Sequence, residues 1–426
     1  MKKIYSVIAL AVGSLVVSTQ ANAQWAPLIG SRNGTDATVY ALGGAKTNLY
    51  IGGAFFNPFQ DLCEWTGSSF ISSGVTPSQP VYAFATWDSV TYIGTGDAVY
   101  QRIGGSTIKI ATLNDPCYAL CVWKKKLYAG GWMNTVNSVK TGFIAVYDGA
   151  TWDSIPVEVD NWPKAMCVYN GMLAVGGYMN YSSKKDTLYG VGLWNGTKWT
   201  PLNKGIQGSG GVFAMDTMGG NLYIGGQFDS ASTAPALYHH VFVRNLAMWN
   251  GTTWDSVGHG ATGTVYAMTN FNGSIVVGGY FDSVEYWNGT KWTFNGQMTS
   301  GDEVNALTVN NGILYAGGYF TTIGSSGTAN YVAQFTLPTA VNEVNATNGV
   351  QIYPNPSSGI FTVKSSVNSN QLSVEIYNIL GEKVQSFITH NSEFSIDLSG
   401  QAKGIYVYRV FNQNGENISS GKLVIQ

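Results

Sequence analysis

The sequence predicts an all-β chain, most of it an array of four-stranded antiparallel sheets. Three observations carry that expectation. The stretch NLYIGGQF (221–228) returns as NLYIGGAF (48–55), KLYAGGWM (126–133), MLAVGGYM (172–179), SIVVGGYF (274–281) and ILYAGGYF (313–320), with a degenerate VTYIGTGD at 90–97. An alanine stands eleven residues before the first glycine position of every copy: Ala41, Ala83, Ala119, Ala165, Ala214, Ala267 and Ala306. After most copies comes an aromatic-bearing hairpin, so each repeat offers four strand-like pieces at a mean period of about 44 residues. Seven such units match a seven-bladed β-propeller.

Taken in order, Met1-Lys2-Lys3, the apolar run 4–17 and Ala21-Asn22-Ala23 read as a secretory signal peptide over 1–23. The run of 14 residues is too short to span a bilayer, and the small residues set cleavage between Ala23 and Gln24. The propeller is expected over 24–337. Each repeat opens with a VYAM-like strand, whose alanine is expected innermost, where converging sheets leave no room for a larger side chain. The paired glycines of the second strand would let it approach a neighbouring sheet closely. The third and fourth strands are clearest as LAMWNGTTWDSV (246–257), GLWNGTKWTPL (192–202) and EYWNGTKWTF (285–294). Asn-Gly there reads as a two-residue type I′ turn, which needs φ > 0 at both positions. That register sets Trp254 opposite Ala247, Trp199 opposite Gly192, Trp152 opposite Ala145, Phe70 opposite Cys63 and Glu285 opposite Trp292. The second repeat is expected to turn at Gly104-Gly105 instead.

The seventh repeat stops after its third strand, NYVAQF (330–335). Gln24-Trp25-Ala26-Pro27-Leu28 looks like the fourth strand Lys198-Trp199-Thr200-Pro201-Leu202. The N-terminal strand is therefore expected to close the last sheet, with Trp25 opposite Ala333, and so remove an exposed edge. Residues 338–349 are polar and unperiodic and read as a linker. From 350 to 426 alternating strand-length segments predict a small β-sandwich.

Composition bounds the function. Only 11% of residues are charged and the net charge is −2, with no basic run, which argues against nucleic acid as a partner. No later segment is apolar enough to be a transmembrane helix. Cys117 and Cys121 lie about 13 Å apart along one strand and cannot pair with each other; with Cys63 and Cys167 they read as buried free thiols.

The Gly-Gly strands followed by aromatic hairpins resemble kelch or galactose-oxidase-type propellers over roughly 24–337, a likeness of fold rather than activity. In the last segment, Tyr353, Pro354, Asn355, Pro356, Gly359, the IYNILGEKV stretch, Gly404, Tyr406 and the terminal KLVI resemble the C-terminal sorting domain of type IX secretion cargo in Bacteroidetes. The resemblance implies the type IX secretion machinery as a partner, a secreted or cell-surface destination, and removal of this segment on export. Seven Asp-Ser/Thr-hydrophobic triplets, among them Asp88-Ser89-Val90 and Asp255-Ser256-Val257, match an O-glycosylation acceptor pattern of Bacteroidetes envelope proteins. Descent of the repeats from one ancestor explains several of them equally well.

Few residues invite chemistry. Galactose-oxidase likeness raises copper, but the four histidines (His239, His240, His259, His390) are not spaced to share a metal, and no cofactor is expected. Asp160, Asp302 and Glu303 sit in loops between repeats and are candidates for an acid pair across a cleft. The stronger signal is loop length. From the second glycine to the aromatic opening the hairpin, the gap runs from 8 residues (Gly279 to Trp287) to 23 (Gly226 to Trp249), while the alanine-to-glycine spacing never changes. Variable loops on a fixed scaffold predict one recognition face. Its candidate ligand residues are Trp132, Tyr178, Tyr181, Tyr238, His239 and Tyr319, rings suited to stacking on a glycan or anchoring a protein. The expected function is a secreted or surface-attached binding module. A polysaccharide-active or oxidising enzyme and a structural envelope component are the alternatives.

Overall fold

The computed structural model describes residues 24–29, 33–44, 48–208, 210–233, 240–298, 301–324, 328–336, 350–365, 371–378, 382–413 and 417–426. The expected signal peptide and linker lie outside them, as do Tyr238 and His239. The chain divides into two compact units, Ala23–Leu337 and a second containing Pro338–Gln426.

Among the described residues, the first unit holds seven four-stranded antiparallel sheets. The fifth is typical: Val212–Met218, Asn221–Gly226, Leu246–Trp249 and Trp254–Ser256, in that order. The opening strands of the other six are Val39–Gly44, Val81–Trp87, Cys117–Trp123, Pro163–Tyr169, Val265–Phe271 and Glu303–Asn310. These seven strands surround one cavity of about 200 Å³, and all seven repeated alanines line it.

The fixed alanine-to-glycine spacing is a ladder register. Ala41 pairs with Gly52, Ala119 with Gly130, Ala165 with Gly176, Ala214 with Gly225 and Ala306 with Gly317. In every opening strand the register slips by one residue immediately before the alanine, as between Val212 and Ala214. That slip is a β-bulge, leaving one residue without a cross-strand partner and turning its side chain out of the pleat. The two glycines serve different contacts. A Cβ on Gly225 would fall on Val265 Cγ1 of the next sheet, whereas one on Gly226 would strike the Gly211 carbonyl beside its own bulge. Close approach to a neighbouring sheet thus accounts for the first glycine of the pair only.

Buried side chains collect between successive sheets. Leu62 shares a core cluster with Val81 and Ile93, Val175 with Ile144, Val191 with Val212, and Val39 and Ile51 of the first sheet with Tyr315 and Val332 of the last. The last sheet is ordered Gln24–Pro27, Val332–Thr336, Ile313–Tyr319, Glu303–Asn310, so the N-terminal strand supplies its fourth member.

The hairpin registers differ from expectation. Trp249 pairs with Trp254, Trp194 with Trp199, Tyr147 with Trp152, Trp65 with Phe70 and Trp287 with Trp292. Consequently Ala247 faces Ser256, Gly192 faces Pro201, Ala145 faces Ser154, Cys63 faces Ser72 and Glu285 faces Phe294. Trp25 likewise faces Phe335, and Ala333 faces Pro27. The cause is the Asn side chain. Asn250 Oδ1 accepts from Thr252 N at 3.0 Å and Thr253 N at 3.0 Å, closing a four-residue loop in which only Gly251 has positive φ (+101°). An Asx-type bond of this kind competes with the type I′ turn. The second repeat does turn at Gly104-Gly105, with φ of +55° and +90° between paired Ile103 and Ser106.

The four-residue loop has a packing consequence. It brings aromatic rings into tilted contact across the outer hairpin, with centroids 5.3 Å apart and planes 57° apart for Trp249 and Trp254. It also frees the fourth-strand indoles to reach the preceding sheet: Trp152 Nε1 donates to Ile110 O at 3.0 Å, Trp199 to Val157 O at 2.8 Å, Trp254 to Leu202 O at 2.9 Å and Trp292 to Val257 O at 3.2 Å. Trp25 occupies the equivalent place in the last sheet, fully buried and 5.3 Å from Phe335.

In the second unit, a three-stranded sheet (Val350–Tyr353, Ile360–Ser365, Glu393–Asp397) and a four-stranded one (Lys383–Thr389, Leu372–Tyr377, Gly404–Phe411, Asn417–Ile425) share one core. Tyr406 is buried there and donates to Ala402 O at 2.8 Å, while Asn355 holds the last strand through Val424 N at 2.9 Å.

Two predictions follow from this packing. Trp25→Ala should cost about 3–5 kcal/mol, a large-to-small core change, and lower the chemical-denaturation midpoint accordingly; an unchanged midpoint would show that the strand is dispensable. Glu285 is buried, and burial pushes its carboxyl up to about 7 from 4.5. A raised carboxylate pKa leaves its contribution intact below pH 4.5 and loses it as pH rises through about 7. Glu285→Gln should therefore raise stability by about 3 kcal/mol at pH 8.5 and change it little at pH 4.5. Equal gains at both pH values would overturn this account.

Candidate functional site

The bulged residue before each alanine is Tyr40, Tyr82, Tyr118, Lys164, Phe213, Tyr266 and Asn305 in successive sheets, and all seven line the central cavity. Freed from the pleat, their rings meet one another. Tyr40 stacks on Tyr82 at 5.3 Å, and Tyr82 meets Tyr118 edge-on at 5.3 Å. Tyr118 lies 5.4 Å from Trp162, Trp162 lies 4.4 Å from Tyr178, Tyr178 lies 5.5 Å from Phe213, and Phe213 stacks on Tyr266 at 6.1 Å. Trp132 joins from outside, parallel to Trp162 within 10° at 5.8 Å. The result is a continuous arc of rings at the end of the cavity where the opening strands begin.

Lys164 takes the bulge of the fourth sheet, where its neighbours have rings. Its Nζ stands 5.1 Å from the Tyr118 centroid, 5.6 Å from Trp162 and 5.1 Å from Phe213. Among the described residues no carboxylate pairs with it. Burial holds its pKa below the usual 10.5. Cation–π contact offsets part of the lost hydration but is weaker than an ion pair in the same place.

The residues singled out from sequence divide into three groups. Trp132 (55% exposed) and Tyr178 are brought together through Trp162, which lies between them. Tyr181 instead meets Tyr189 edge-on at 5.8 Å, and Tyr319 meets Tyr331 at 6.0 Å, each apart from the arc. Tyr238 and His239 lie outside the described residues. Sequence reasoning missed Trp162, Lys164 and the bulge tyrosines. Their signal was present, since each sits at a fixed offset from a repeated alanine, but a VYAM-like strand reads as core.

Asp160 has a structural task. Its Oδ1 accepts from Asn180 N at 2.8 Å and Tyr181 N at 3.0 Å, tying down the long loop of the fourth sheet. Asp36 does the same for Phe56 and Asn57, and Asn114 for Asn134 and Thr135, each five residues before its alanine. Glu303, raised by burial, is in the seventh sheet, three sheets on from Asp160. A copper centre would need imidazole at the mouth. The residues lining the cavity include no histidine, His240 is on an outer strand, and His259 lies against Trp292 and Phe294, so these residues do not fit one.

Residues 351–426 match the family model described as the secretion system C-terminal sorting domain. The match indicates export by type IX secretion and contact with its machinery. No curated protein sequence matches the chain. Among solved structures, PorZ, described as a surface component of the type IX secretion system of Porphyromonas gingivalis, is 15% identical with a TM-score of 0.47. The alignment covers 93% of this chain but 60% of PorZ. A fungal alcohol oxidase of the AA5 family is 12% identical with a TM-score of 0.50, covering 95% and 99% of the two chains. The WD40 β-propeller domain of Doa1 is 12% identical at 0.49, covering 75% and 99%. At these identities the likeness is one of fold: all-β and propeller-like.

An ammonium caged by rings and without an ion-pair partner among the described residues predicts a specific stability effect. Because the folded state holds the Lys164 proton less tightly than the unfolded chain, its penalty is present at pH 7 and fades as pH climbs toward 10.5. Lys164→Met should leave the melting temperature at pH 7 equal or higher. A clear fall would mean that the ammonium anchors the arc.

Proposed function

We propose that residues 24–337 form a seven-bladed β-propeller closed by its N-terminal strand, and that this ring is a secreted or surface-attached binding module. Residues 1–23 act as the signal peptide, cleaved between Ala23 and Gln24, and residues 350–426 direct export. The ring reading is supported by the repeated sheets, by the contacts of Val39 with Val332 and Tyr315, and by the place of Trp25 beside Phe335. Kelch-type ancestry rests on the Gly-Gly strands and aromatic hairpins alone.

The observation that carries the binding reading is the ring arc centred on Trp162. Aromatic faces in contact with one another, open to solvent at Trp132 and leading into a cavity, offer a stacking platform to sugars or to a side-chain anchor. A core would have buried Trp132. The ligand is a glycan or a protein segment seated on this face, with Trp132 and Tyr178 among its contacts.

The decisive experiment is retention on a glycan panel, scored for binding and for cleavage. Wild type should retain at least one member without cleaving it, and Trp162→Ala should weaken retention by about 10–100-fold, the loss expected of about 1.4–3 kcal/mol from an aromatic anchor, with an unchanged melting curve. Retention that survives Trp162→Ala and is lost on altering the Asn250-Gly251 hairpin would place the site on the opposite face.

A further inference from the structure

The cavity behind the aromatic arc has an uneven chemistry. Its lining is tyrosine, phenylalanine, alanine, leucine and methionine, with one asparagine, and it contains one charged side chain, Lys164. No carboxylate is among the lining residues. The lysine is half-buried at the base of the arc, with three rings around its ammonium and no anionic partner among the described residues. Acids are near the arc: besides burial, the charges of Asp115, Asp61 and Glu303 help to raise the pKa values of Tyr118, Tyr82 and Tyr266, but none of the three forms an ion pair with Lys164.

Resting on the reading of this mouth as the binding surface, we propose that it selects an acidic saccharide, with Lys164 pairing to a uronic-acid carboxylate while a sugar ring stacks on the solvent-open Trp132, which Trp162 backs. Three arguments favour this occupant. A cavity of about 200 Å³ is below the roughly 300–1,000 Å³ of a whole drug-sized ligand site, so it admits the end of a chain rather than a folded partner. Adjacent ring faces, with one cation set among them, match a ligand that alternates apolar C–H faces with a single charge. A carboxylate arriving at Lys164 would meet a partially desolvated ammonium, where an ion pair is worth more than at the open surface. Its negative charge would also oppose the burial that now lowers the lysine's pKa.

The test uses the intact protein and two forms of one polymer fragment, an oligogalacturonate and its methyl ester, titrated calorimetrically. The chains differ only at the carboxyls, where the ester carries a methyl group in place of the negative charge. The free acid should bind at least about 10-fold more tightly than the ester, a difference of about 1.4 kcal/mol. Lys164→Met should erase that preference while keeping the ester affinity, and Lys164→Arg should restore it in part. Equal affinity for acid and ester, or a preference unchanged in Lys164→Met, overturns the proposal. If both forms bind equally and Trp162→Ala abolishes both, the mouth remains the binding surface and only the acidic selectivity falls. If neither form binds but an oligoglutamate peptide does, in a Lys164-dependent way, the saccharide assignment is wrong. The melting curve of Lys164→Met, read alongside, separates lost binding from lost folding.

Discussion

The contact on which the rest depends is the bulged pairing of alanine with glycine at the head of each opening strand. In six of the seven sheets the second glycine has no Cβ to strike the carbonyl beside the bulge, as Gly226 meets Gly211, while the second sheet carries the same bulge opposite Thr95. The first glycine lets the next sheet's valine come into contact, as Val265 does at Gly225. The alanine keeps the cavity wall small. Pair, bulge and inter-sheet contact therefore form one device. It explains why eleven residues separate the two positions in all seven copies while the loops beyond them vary in length.

The same device creates the candidate site. A residue in a regular ladder points alternately to one face or the other and is packed between sheets. A bulged residue escapes that alternation. Seven bulges facing one axis put seven side chains at one mouth, and in five of them the side chain is aromatic: Tyr40, Tyr82, Tyr118, Phe213 and Tyr266. Trp162 and Tyr178 come from the loops on either side of the fourth bulge and bridge the gap that Lys164 leaves, since the Tyr178 amide donates to the Trp162 carbonyl at 3.1 Å. Scaffold and site are thus set by one backbone irregularity rather than by separate features.

Much of the fold was legible because it is written in spacing. Repeat number, the alanine and glycine positions, the turn at Gly104-Gly105 and the last sheet's N-terminal strand all follow from offsets that a single chain displays seven times. The hairpin register was not legible. Asn-Gly has two solutions, and the choice is made by whether Asn Oδ1 can accept from the amides two and three residues on, as Asn250, Asn195 and Asn288 do. Spacing does not reveal that bond, although the Asn-Gly-Thr that recurs in all three is suggestive in hindsight. The site was half legible. Loop length picked out Trp132 and Tyr178, both of which contact Trp162 in the arc, but the bulge that aims the tyrosines inward is a pairing fact. Asp160 illustrates the converse: an acid in a loop invites catalysis, yet two backbone amides already occupy its oxygen.

Lys164 is the residue that the scaffold does not account for. The seven bulge positions accept tyrosine, phenylalanine and asparagine, so neither packing nor ladder geometry demands a particular side chain there. A ring at 164 would have continued the arc from Tyr118 to Phe213. In its place stands an ammonium that burial destabilises, that no carboxylate among the described residues neutralises, and that three rings enclose. Natural folds carry such costs chiefly where a ligand recovers them. Cation–π contact alone, about 0.5–2 kcal/mol, would have been matched by ring-on-ring contact at about 0.5–1.5 kcal/mol without desolvating a charge. The balance therefore favours a charge kept for something outside the fold, and Lys164 is the one charged side chain that lines the cavity.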